Sequence, residues 1–382
     1  YMNCLWADPT EEKMMPVIDK AAEAGAEFYV MDAGWYADGN WWDTVGEWKE
    51  NKDRFPNGIK KVFDYIRFKG MTPGIWLEIE VVGINSPMLK QLDDSFFFMR
   101  HGRRVIDNGR YQFDFRNEKV RAFADGVIDR VVNEYGAGYI KMDYNIDAGI
   151  GTETDADSFG DGLLEHNRAY LAWIDSVSAR YPDLIIENCS SGGLRMDYAM
   201  LAHHALQSVS DRTDYSDNAV ISAAAPTAVL PEQGAIWAYP MAKENENITV
   251  FNMVNALLMR MHLSGEIAGL SKRQFEIVKK GVACYQETKK YIRGLTPFYP
   301  LGLPKYSDEF LCCGFESKDK TFIKIWRRGT ADEKKTCFIP LENCTSAKIL
   351  FSDDGCTADV TDGGLTVGFA NKISAALIEI EK

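Results

Sequence analysis

Apolar runs that end in polar residues alternate with stretches of helical periodicity through residues 1–296. Helices are predicted over 11–24, 59–68, 119–135 and 161–181. Between them lie short runs that are apolar throughout, and strands are predicted over 27–32, 73–78, 111–114, 139–143, 183–188 and 205–210. Such strands, alternating with helices of ten or more residues, indicate parallel α/β organisation. Because no GxGxxG phosphate loop follows the first strands, the pattern favours a closed (β/α)8 TIM barrel over an open doubly wound sheet.

The pattern changes after Thr296, where prolines at 297, 300 and 304 mark a connector. The chain that follows predicts short strands separated by Gly, Asn and Asp, which are turn residues. The predicted strands are 310–315, 321–327, 336–340, 348–351 and 374–379. We therefore predict two domains: a catalytic barrel over 1–296 and a small antiparallel β-sandwich over 297–382, to which we assign a packing role.

The segment 139–145 carries the strongest functional signal. A run of apolar residues leads into Lys141, Asp143 and Asn145. In a β/α barrel, catalytic side chains gather at the carboxyl ends of the strands, and residues two apart on a strand point to the same side. One such aspartate would equally well cap the next helix. The pattern recurs, however, at Asp32 and Trp35, at Trp76, Glu78 and Glu80, at Asp114, at Glu187, Asn188 and Cys189, and at Asp211 and Asp214.

A cavity lined by carboxylates, an amide, a lysine and tryptophans suits a sugar. Acids and amides bind hydroxyl groups, and indole faces pack on the apolar C–H side of the ring. Two carboxylates flanking an acetal are the minimum apparatus of a glycosidase. A metal site is the main alternative, but the chain has no HxH, HxxxH or DxDxDG element. We therefore expect neither a metal nor a cofactor.

Charge and cysteine usage narrow the range of partners and compartments. The net charge of −13 argues against nucleic acid or an anionic membrane as a partner, since both require a basic surface. The eight cysteines are scattered and are predicted to be free thiols in a reducing compartment, the bacterial cytoplasm. No apolar run approaches the roughly 20 residues that span a bilayer. The chain opens at Tyr1 inside an apolar segment, from which we expect that an N-terminal part has been removed. The oligomeric state is left open, with a homo-oligomer as one alternative.

Five motifs occur in the order found in glycoside hydrolase family 36, the microbial α-galactosidases of clan D. The motifs are DAGW at 32–35, GIWLE at 74–78, IKMDYN at 140–145, ENCSSGG at 187–193 and SDRTD at 210–214. The resemblance covers roughly residues 1–300, and five motifs in order are far more specific than any one of them. Typical members also carry a large N-terminal β-sandwich, which fits the abrupt start at Tyr1.

The resemblance implies a retaining mechanism with two aspartates. Asp143 resembles the nucleophile and Asp211 resembles the acid/base. The nucleophile must be ionised, and the nearby Lys141 ammonium is expected to lower its pKa. The acid must be protonated when it meets substrate, and Asp214 could supply the anionic setting that this requires. Without the other motifs, Asp211 and Asp214 would be interpreted as capping residues in an Asp-rich loop.

The same resemblance implies a set of residues that contact the sugar. Cys189 and Gly192 match the loop beside the 2-position, where a small residue leaves room only for a hydroxyl. The predicted substrate-binding residues are Asp32, Trp35, Trp76, Arg110, Lys141, Asn145, Cys189, Gly192 and Asp214.

Two positions depart from the family pattern, and both fall in substrate recognition. The family has Asp-Asp-Gly-Trp where this chain has Ala33 as the second residue, so recognition of the 6-hydroxyl is altered. The family's Asn-Ser-Trp near the first strand is replaced by Asn3-Cys4-Leu5, which removes one pocket tryptophan unless Trp6 takes its place.

The leading hypothesis is a retaining exo-α-galactosidase acting on raffinose-type oligosaccharides, an α-galactoside substrate. A second hypothesis keeps the chemistry and changes the sugar to α-N-acetylgalactosamine or to β-L-arabinopyranose, which lacks the 6-hydroxymethyl group. A third is a non-catalytic sugar-binding barrel, against which the presence of both Asp143 and Asp211 argues. The sequence leaves open the aglycone, the linkage and the balance of hydrolysis against transglycosylation.

Overall fold

Short apolar runs form the parallel strands of this protein, whose computed structural model describes residues 1–329 and 335–381. The chain divides into two units, one with residues Tyr1–Ala22 and Glu27–Ala205 and the other with Glu23–Ala26 and Leu206–Lys382. The boundary that we predict between 296 and 297 stays a prediction. Its C-terminal domain includes 330–334 and 382, which lie outside the described residues.

The first unit alternates strands and helices. Its strands are β1 (Phe28–Met31), β2 (Thr72–Leu77), β3 (Val81–Gly83), β4 (Met99–Arg100), β5 (Arg103–Arg104), β6 (Ile106–Asp107), β7 (Arg110–Gln112), β8 (Tyr139–Met142) and β9 (Ile185–Asn188). Its helices are α1 (Met2–Leu5), α2 (Glu11–Ala24), α3 (Ile59–Phe68), α4 (Glu118–Asp129), α5 (Phe159–Arg180) and α6 (Tyr198–His203), with a π-helical turn at Arg130–Tyr135. Short 3₁₀ turns lie at Pro87–Gln91 and Asp94–Phe96.

Four of these strands, β1, β2, β8 and β9, pair in that order and in parallel. All four residues of β8 are buried, which explains why its sequence is apolar up to the point where the polar groups begin. Helix α3 ends as predicted before Gly70, whose φ of +85° suits the glycine at the end of a helix. The predicted alternation of parallel strands and helices is confirmed for β1, β2, β8 and β9.

The predicted parallel strand at 111–114 is wrong. Strand β7 pairs antiparallel with β3 and β6 in a separate three-stranded sheet. Asn108 and Gly109 join β6 to β7, and both have positive φ, as a type I′ hairpin turn requires. The Asn-Gly pair was the signal for a hairpin, and its tight turn leaves no room for a crossover helix. Residues 2–5, which we placed near the first strand, form the short helix α1.

The second unit begins with three more parallel strands. They are β10 (Leu206–Ser208), β11 (Gly234–Ala238) and β12 (Arg260–Leu263), paired in that order. Its helices are α7 (Tyr215–Ala224), α8 (Glu246–Ala256) and α9 (Lys272–Ile292), with a 3₁₀ turn at Ala225–Thr227. Strands β11 and β12 were not predicted.

Antiparallel strands follow from Thr296 onward. They are β13 (Thr296–Phe298), β14 (Phe310–Glu316), β15 (Thr321–Arg327), β16 (Thr336–Pro340), β17 (Ser346–Ser352), β18 (Cys356–Thr361), β19 (Gly364–Phe369) and β20 (Ser374–Glu381). One sheet has the order β13-β14-β15-β20-β17 and the other β16-β19-β18. Ile323 and Ile378 from the first sheet share a core with Ile339 and Val367 from the second. The predicted antiparallel β-sandwich is therefore confirmed.

Two further observations bear on the sequence analysis. Within the described ranges, no helix has the length and apolarity needed to cross a membrane. Cys284, Cys312 and Cys313 are buried free thiols, and burial raises the pKa of each.

Candidate active site

Asp143 lies directly after β8, and its carboxylate is only slightly exposed. Trp76 Nε1 donates a 2.9 Å hydrogen bond to Oδ2, and the backbone N–H of Tyr144 donates one of 2.8 Å to Oδ1. The backbone N–H of Ser191 lies 3.3 Å from the same Oδ1. The Asp143 N–H donates to the Leu77 carbonyl at 2.7 Å, which extends the pairing of β8 with β2 by one residue. The carboxylate is therefore held at a defined orientation.

Several groups favour the ionised form of Asp143. Burial raises the pKa of this carboxyl, but the charge of Lys141 and the hydrogen bonds from Trp76, Asn145 and Tyr144 outweigh burial and hold its pKa below the usual value. The expectation that Lys141 lowers the pKa of Asp143 is confirmed. An ionised, oriented carboxylate at the end of a strand can act as a nucleophile.

Lys141 makes its direct contact with Asp32. Its ammonium Nζ donates a 2.9 Å hydrogen bond to Asp32 Oδ2, and both side chains are buried. The other Asp32 oxygen accepts a 2.8 Å hydrogen bond from the backbone N–H of Ala33. Ala33 is also buried, at 1% exposure, so the position where the family has a second acid lies inside the protein beside Asp32.

The two predicted tryptophans are buried and linked to each other. Trp35 Nε1 donates to the carbonyl of Trp76 at 3.0 Å, at the end of β2. Both indoles are at most 1% exposed. In this structure Trp35 therefore supports Trp76, and Trp76 supports the Asp143 carboxylate.

Arg110 forms a buried ion pair with Glu78, and both side chains are inaccessible to solvent. Arg110 Nε donates to the Trp42 carbonyl at 2.8 Å, and the Trp42 ring lies 3.7 Å from the guanidinium carbon. Glu78 Oε1 accepts a 2.7 Å hydrogen bond from the backbone N–H of Asn145. Arg110, Glu78 and Asn145 thus form a chain of contacts that ends two residues after Asp143.

The loop after β9 closes around Asn145. Ser191 donates to Asn145 Oδ1 from its backbone N–H at 3.1 Å and from its hydroxyl at 2.7 Å. Ser191 and Gly192 have φ values of 42° and 85°, and this left-handed pair turns the chain back toward β8. Cys189 is inaccessible to solvent, and its N–H donates to the Met142 carbonyl at 2.9 Å.

Acids outnumber cations in this cluster. Among the described residues discussed above and the neighbouring Glu187, the carboxylates are Asp32, Glu78, Asp143 and Glu187, and the cations are Lys141 and Arg110. Burial raises the pKa of Glu78 to about 7, despite the opposing charge of Arg110. Burial also raises the pKa of Glu187 to about 7, despite Lys141 and the hydroxyl of Tyr139 that donates to it. Near neutral pH these two groups therefore bind protons part of the time.

Asp211 and Asp214 lie in the second unit, after β10, and both are exposed. Asp214 is the N-cap of α7, because its Oδ1 accepts hydrogen bonds from the backbone N–H groups of Ser216 at 3.0 Å and Asp217 at 2.9 Å. The capping alternative considered from the sequence thus describes the contacts of Asp214. The predicted substrate role of Asp214 stays a prediction.

The first unit brings together most of the residues predicted from sequence. They are Asp32, Trp35, Trp76, Arg110, Lys141, Asp143, Asn145, Cys189 and Gly192. Sequence reasoning missed Tyr144 and Ser191, whose contacts with Asp143 are made by backbone N–H groups that leave no side-chain signature. Among residues 1–329 and 335–381, no group of three or more His, Cys, Asp or Glu is arranged to hold a metal ion.

Comparison with known proteins identifies relatives over most of the chain. A family model described as Melibiase matches residues 2–294. Alpha-galactosidase Mel36A of Lactobacillus acidophilus is 28% identical over 313 residues, which cover 80% of this chain and 42% of that protein. Alpha-galactosidase AgaA of Geobacillus stearothermophilus is 26% identical over 318 residues, covering 79% and 42%. The chain thus spans less than half the length of these curated relatives.

Solved structures share the fold over the whole chain. The crystal structure of the GH36 alpha-galactosidase AgaA from Geobacillus stearothermophilus superposes with a TM-score of 0.85 at 19% identity, covering 100% of this chain and 54% of that one. A variant of the same protein in complex with raffinose has a TM-score of 0.85 at 19% identity and the same coverage. The predicted fold class, a barrel with a C-terminal β-sandwich, is therefore confirmed. The chain belongs to the melibiase family, and the resemblance to glycoside hydrolase family 36 seen in its sequence is confirmed.

Proposed function

We propose that this protein is a retaining exo-α-galactosidase that removes terminal α-D-galactosyl residues from oligosaccharides. The observation that carries the proposal is the environment of Asp143, a buried carboxylate that three backbone or indole N–H groups orient and Lys141 keeps ionised. Its relatives are named alpha-galactosidases, and one of them has been crystallised with raffinose. Raffinose-type α-galactosides are the substrates that we propose. The scattered cysteines favour the reducing cytoplasm of a bacterium as the compartment.

The proposed reaction has two displacement steps. Asp143 attacks the anomeric carbon and forms a glycosyl ester, while the bond to the leaving oxygen breaks and that oxygen takes a proton from Asp211. Water then attacks the same carbon, returns a proton to Asp211 and releases Asp143. Two inversions give net retention of configuration. The role of Asp211 is supported by its place in the Ser-Asp-x-Thr-Asp motif at 210–214.

Sugar recognition is proposed to fall to the groups around Asp143. The Lys141–Asp32 pair offers charged hydrogen-bonding groups to sugar hydroxyls, and such bonds are worth about 1.5–3 kcal/mol each. Cys189 and Gly192 match the loop beside the 2-position, where small residues favour a plain hydroxyl over an N-acetyl group. This argues for galactose over N-acetylgalactosamine.

One observation favours a second sugar. Ala33 replaces the acid that the family uses for the 6-hydroxyl, and it lies buried beside Asp32. A pentopyranoside without the 6-hydroxymethyl group, such as β-L-arabinopyranose, would then lose little on binding. Acceptors other than water are also compatible with the covalent intermediate, so transglycosylation accompanies hydrolysis in this proposal.

A panel of nitrophenyl glycosides, assayed on the purified chain, tests the proposal. We expect α-galactoside hydrolysis with the α-anomer of galactose as the first product, measured by proton NMR. A first product of β configuration would reject the retaining mechanism. Binding of galactosides without turnover, together with unchanged binding in Asp143→Asn, would favour the non-catalytic sugar-binding alternative.

A further inference from the structure

A second buried cluster, formed by Glu80, Arg195 and His166, lies next to Tyr144, the residue after the proposed nucleophile Asp143. Glu80 is 1% exposed, and its Oε1 accepts a 2.8 Å hydrogen bond from Arg195 Nη2. Its Oε2 lies 3.1 Å from His166 Nε2. Burial raises the pKa of Glu80, but Arg195 and His166 outweigh burial and lower its pKa to about 2. Glu80 is therefore a carboxylate throughout the range in which a sugar hydrolase works.

The tautomer of His166 follows from its two contacts. The backbone N–H of Phe115 donates to His166 Nδ1 at 3.1 Å, so Nδ1 carries no proton. Nε2 therefore carries it and donates to Glu80. His166 is buried between the rings of Phe98 and Phe115, with centroids 4.8 and 5.8 Å away. A neutral His166 fixes one oxygen of Glu80 and leaves the other to Arg195.

Arg195 extends this cluster to the residue after the nucleophile. Its guanidinium carbon lies 4.4 Å from the centroid of the Tyr144 ring, a cation–π distance. At the tip of this side chain, the Tyr144 hydroxyl donates a 2.8 Å hydrogen bond to Gln112 Oε1. Gln112 Nε2 donates in turn to the carbonyl of Glu80 at 3.3 Å. Glu80 thus anchors both groups that hold the Tyr144 side chain.

The backbone of Tyr144 transmits this restraint to Asp143. Its N–H donates to Asp143 Oδ1 at 2.8 Å, and its carbonyl accepts from the Ser190 hydroxyl at 2.6 Å. An amide whose side chain and carbonyl are both fixed cannot rotate without breaking several contacts. Its hydrogen bond to the carboxylate is therefore set in advance of substrate binding.

We propose that Arg195 and Glu80 are positioning residues for Asp143, acting through the clamped ring of Tyr144. This inference rests on the proposed role of Asp143 as the nucleophile. Neither residue touches the reacting atoms in this proposal. A planar guanidinium is required because it must bind a carboxylate at its edge and an aromatic ring at its face, which a lysine ammonium does less well. A shift of about 1 Å in a reacting group typically costs about a hundredfold in rate.

Three variants of the full chain test this inference. In Arg195→Met, we expect kcat on nitrophenyl α-galactoside to fall by about ten- to a hundredfold with KM nearly unchanged. The acidic limb of the pH profile should move to higher pH, because a loosened Tyr144 N–H stabilises the ionised Asp143 less. Arg195→Lys should recover the melting temperature and only part of kcat. The matched control is Arg168→Met, an exposed arginine paired with Glu165 on α5, for which no kinetic change is expected.

Tyr144→Phe keeps the ring and removes only the hydroxyl, so it tests the clamp if Arg195→Met does not fold. We expect a smaller fall in kcat and the same direction of shift in the acidic limb. A loss of activity that follows the melting temperature alone, with an unmoved pH profile, would show a merely structural role and overturn the proposal.

A crystal structure of Arg195→Met, or of Tyr144→Phe, separates this inference from the proposed function. Displacement of the Tyr144 N–H from Asp143 supports the inference even if the protein hydrolyses another glycoside. Retention of the 2.8 Å contact with an unmoved Asp143 overturns it, whatever the substrate is. An inactive wild-type chain would instead count against the proposed function and would leave this structural readout valid.

Discussion

Trp76 and Asp143 are joined by a 2.9 Å hydrogen bond from the indole Nε1 to the carboxylate Oδ2. Trp76 lies on β2, and the bond crosses to the residue after β8, 67 positions later in the chain. A tryptophan that the family resemblance places against the sugar is therefore also a donor to the proposed nucleophile. Substitution can therefore test the indole N–H separately from the aromatic ring.

Trp76→Phe should retain an aromatic ring and lose the donor. A hydrogen bond to a charged group is worth about 1.5–3 kcal/mol, so kcat should fall by roughly ten- to a hundredfold. The acidic limb of the pH profile should rise, because this bond helps to lower the pKa of Asp143. Trp173→Phe is the matched control, since its indole donates a 2.9 Å bond to Asp125 on α4. Equal kinetic losses in both variants would refute a specific role for Trp76.

Asp143→Asn should lower turnover by at least roughly a thousandfold, since an amide is a poor nucleophile. In Asp143→Gly, azide can enter the vacated space and attack the anomeric carbon directly. The product should be a glycosyl azide of inverted configuration, detected by NMR and mass spectrometry. Wild-type activity in the Asn variant would remove Asp143 from the role that we propose.

Asp211 and Asp214 should respond differently to substitution. An acid catalyst matters most for poor leaving groups, so Asp211→Ala should cripple raffinose hydrolysis and largely spare activated aryl galactosides. Asp214→Ala should raise KM and shift the pH profile without that leaving-group dependence. It should also lose about 1 kcal/mol of stability, because Asp214 caps α7.

Asp214→Asn is the control for the capping effect, since asparagine caps a helix as well as aspartate does. It should restore the melting temperature, and any kinetic defect that remains then belongs to the lost charge. If leaving-group dependence followed Asp214 in place of Asp211, the two roles would have to be exchanged.

Ala33 should relax discrimination at the 6-position of the sugar. With no acid at this site, nitrophenyl α-galactoside and β-L-arabinopyranoside should differ in kcat/KM by less than about a hundredfold, below the roughly 10⁴-fold that an unpaired polar group can produce. Ala33→Asp should widen the gap in favour of galactose, with Ala33→Ser as a control that adds a hydroxyl without charge. Discrimination of about 10⁴-fold in the wild type would mean that another residue reads the 6-hydroxyl.

The burial of Lys324 should make the free energy of unfolding depend on pH above neutrality. It is inaccessible to solvent on β15, where its Nζ donates to the Ser222 hydroxyl at 3.1 Å and to the Asn255 carbonyl at 2.9 Å. Burial lowers the pKa of Lys324 from 10.5 to about 7, with Cys313 opposing this only in part. The unfolded chain therefore binds more protons than the folded one between pH 7 and 10.5, and the free energy of unfolding rises with pH in this window.

Urea unfolding of Lys324→Met across this pH range measures the effect. The variant should lack the rise that the wild type shows, while Lys318→Met, which alters an exposed lysine in the turn between β14 and β15, should keep it. A wild-type curve that is flat between pH 7 and 10.5 would contradict the lowered pKa.

Sequence predicted the parts of this protein that depend on local pattern. Helix α2 and strands β15 and β16 have the predicted bounds, because periodicity and turn residues determine them locally. The proximity of Lys141 to Asp143 followed from the alternation of side chains along a strand, whereas the direct ion pair of Lys141 with Asp32 was not predicted. Strand β7 was misassigned because an apolar run alone does not show whether its neighbouring strand is parallel or antiparallel. The Asn108–Gly109 turn makes the pairing of β7 with β6 antiparallel.

The cluster of Glu80, Arg195 and His166 could not be predicted from the sequence, for a different reason. Arg195 and His166 are 115 and 86 residues from Glu80 in the chain, and each belongs to a segment without a motif of its own. Only folding brings them together. The same holds for the backbone N–H groups of Tyr144 and Ser191, which every non-proline residue possesses and which become specific through conformation alone.

The excess of buried carboxylates over cations around Asp143 affects how tightly the protein binds charged and neutral forms of a sugar ligand. Glu78, Glu187, Asp32 and Asp143 outnumber Lys141 and Arg110 in this part of the described structure. The negative potential around Asp143 therefore grows as the pH rises through about 7, where Glu78 and Glu187 release their protons. A neutral sugar ring is stabilised little by that potential. A sugar ring that acquires positive charge at its anomeric carbon, as an oxocarbenium-like species does, is stabilised much more. A basic iminosugar that carries such a charge permanently should therefore bind more tightly than the neutral sugar of the same shape, and its affinity should weaken at low pH as these carboxylates take up protons.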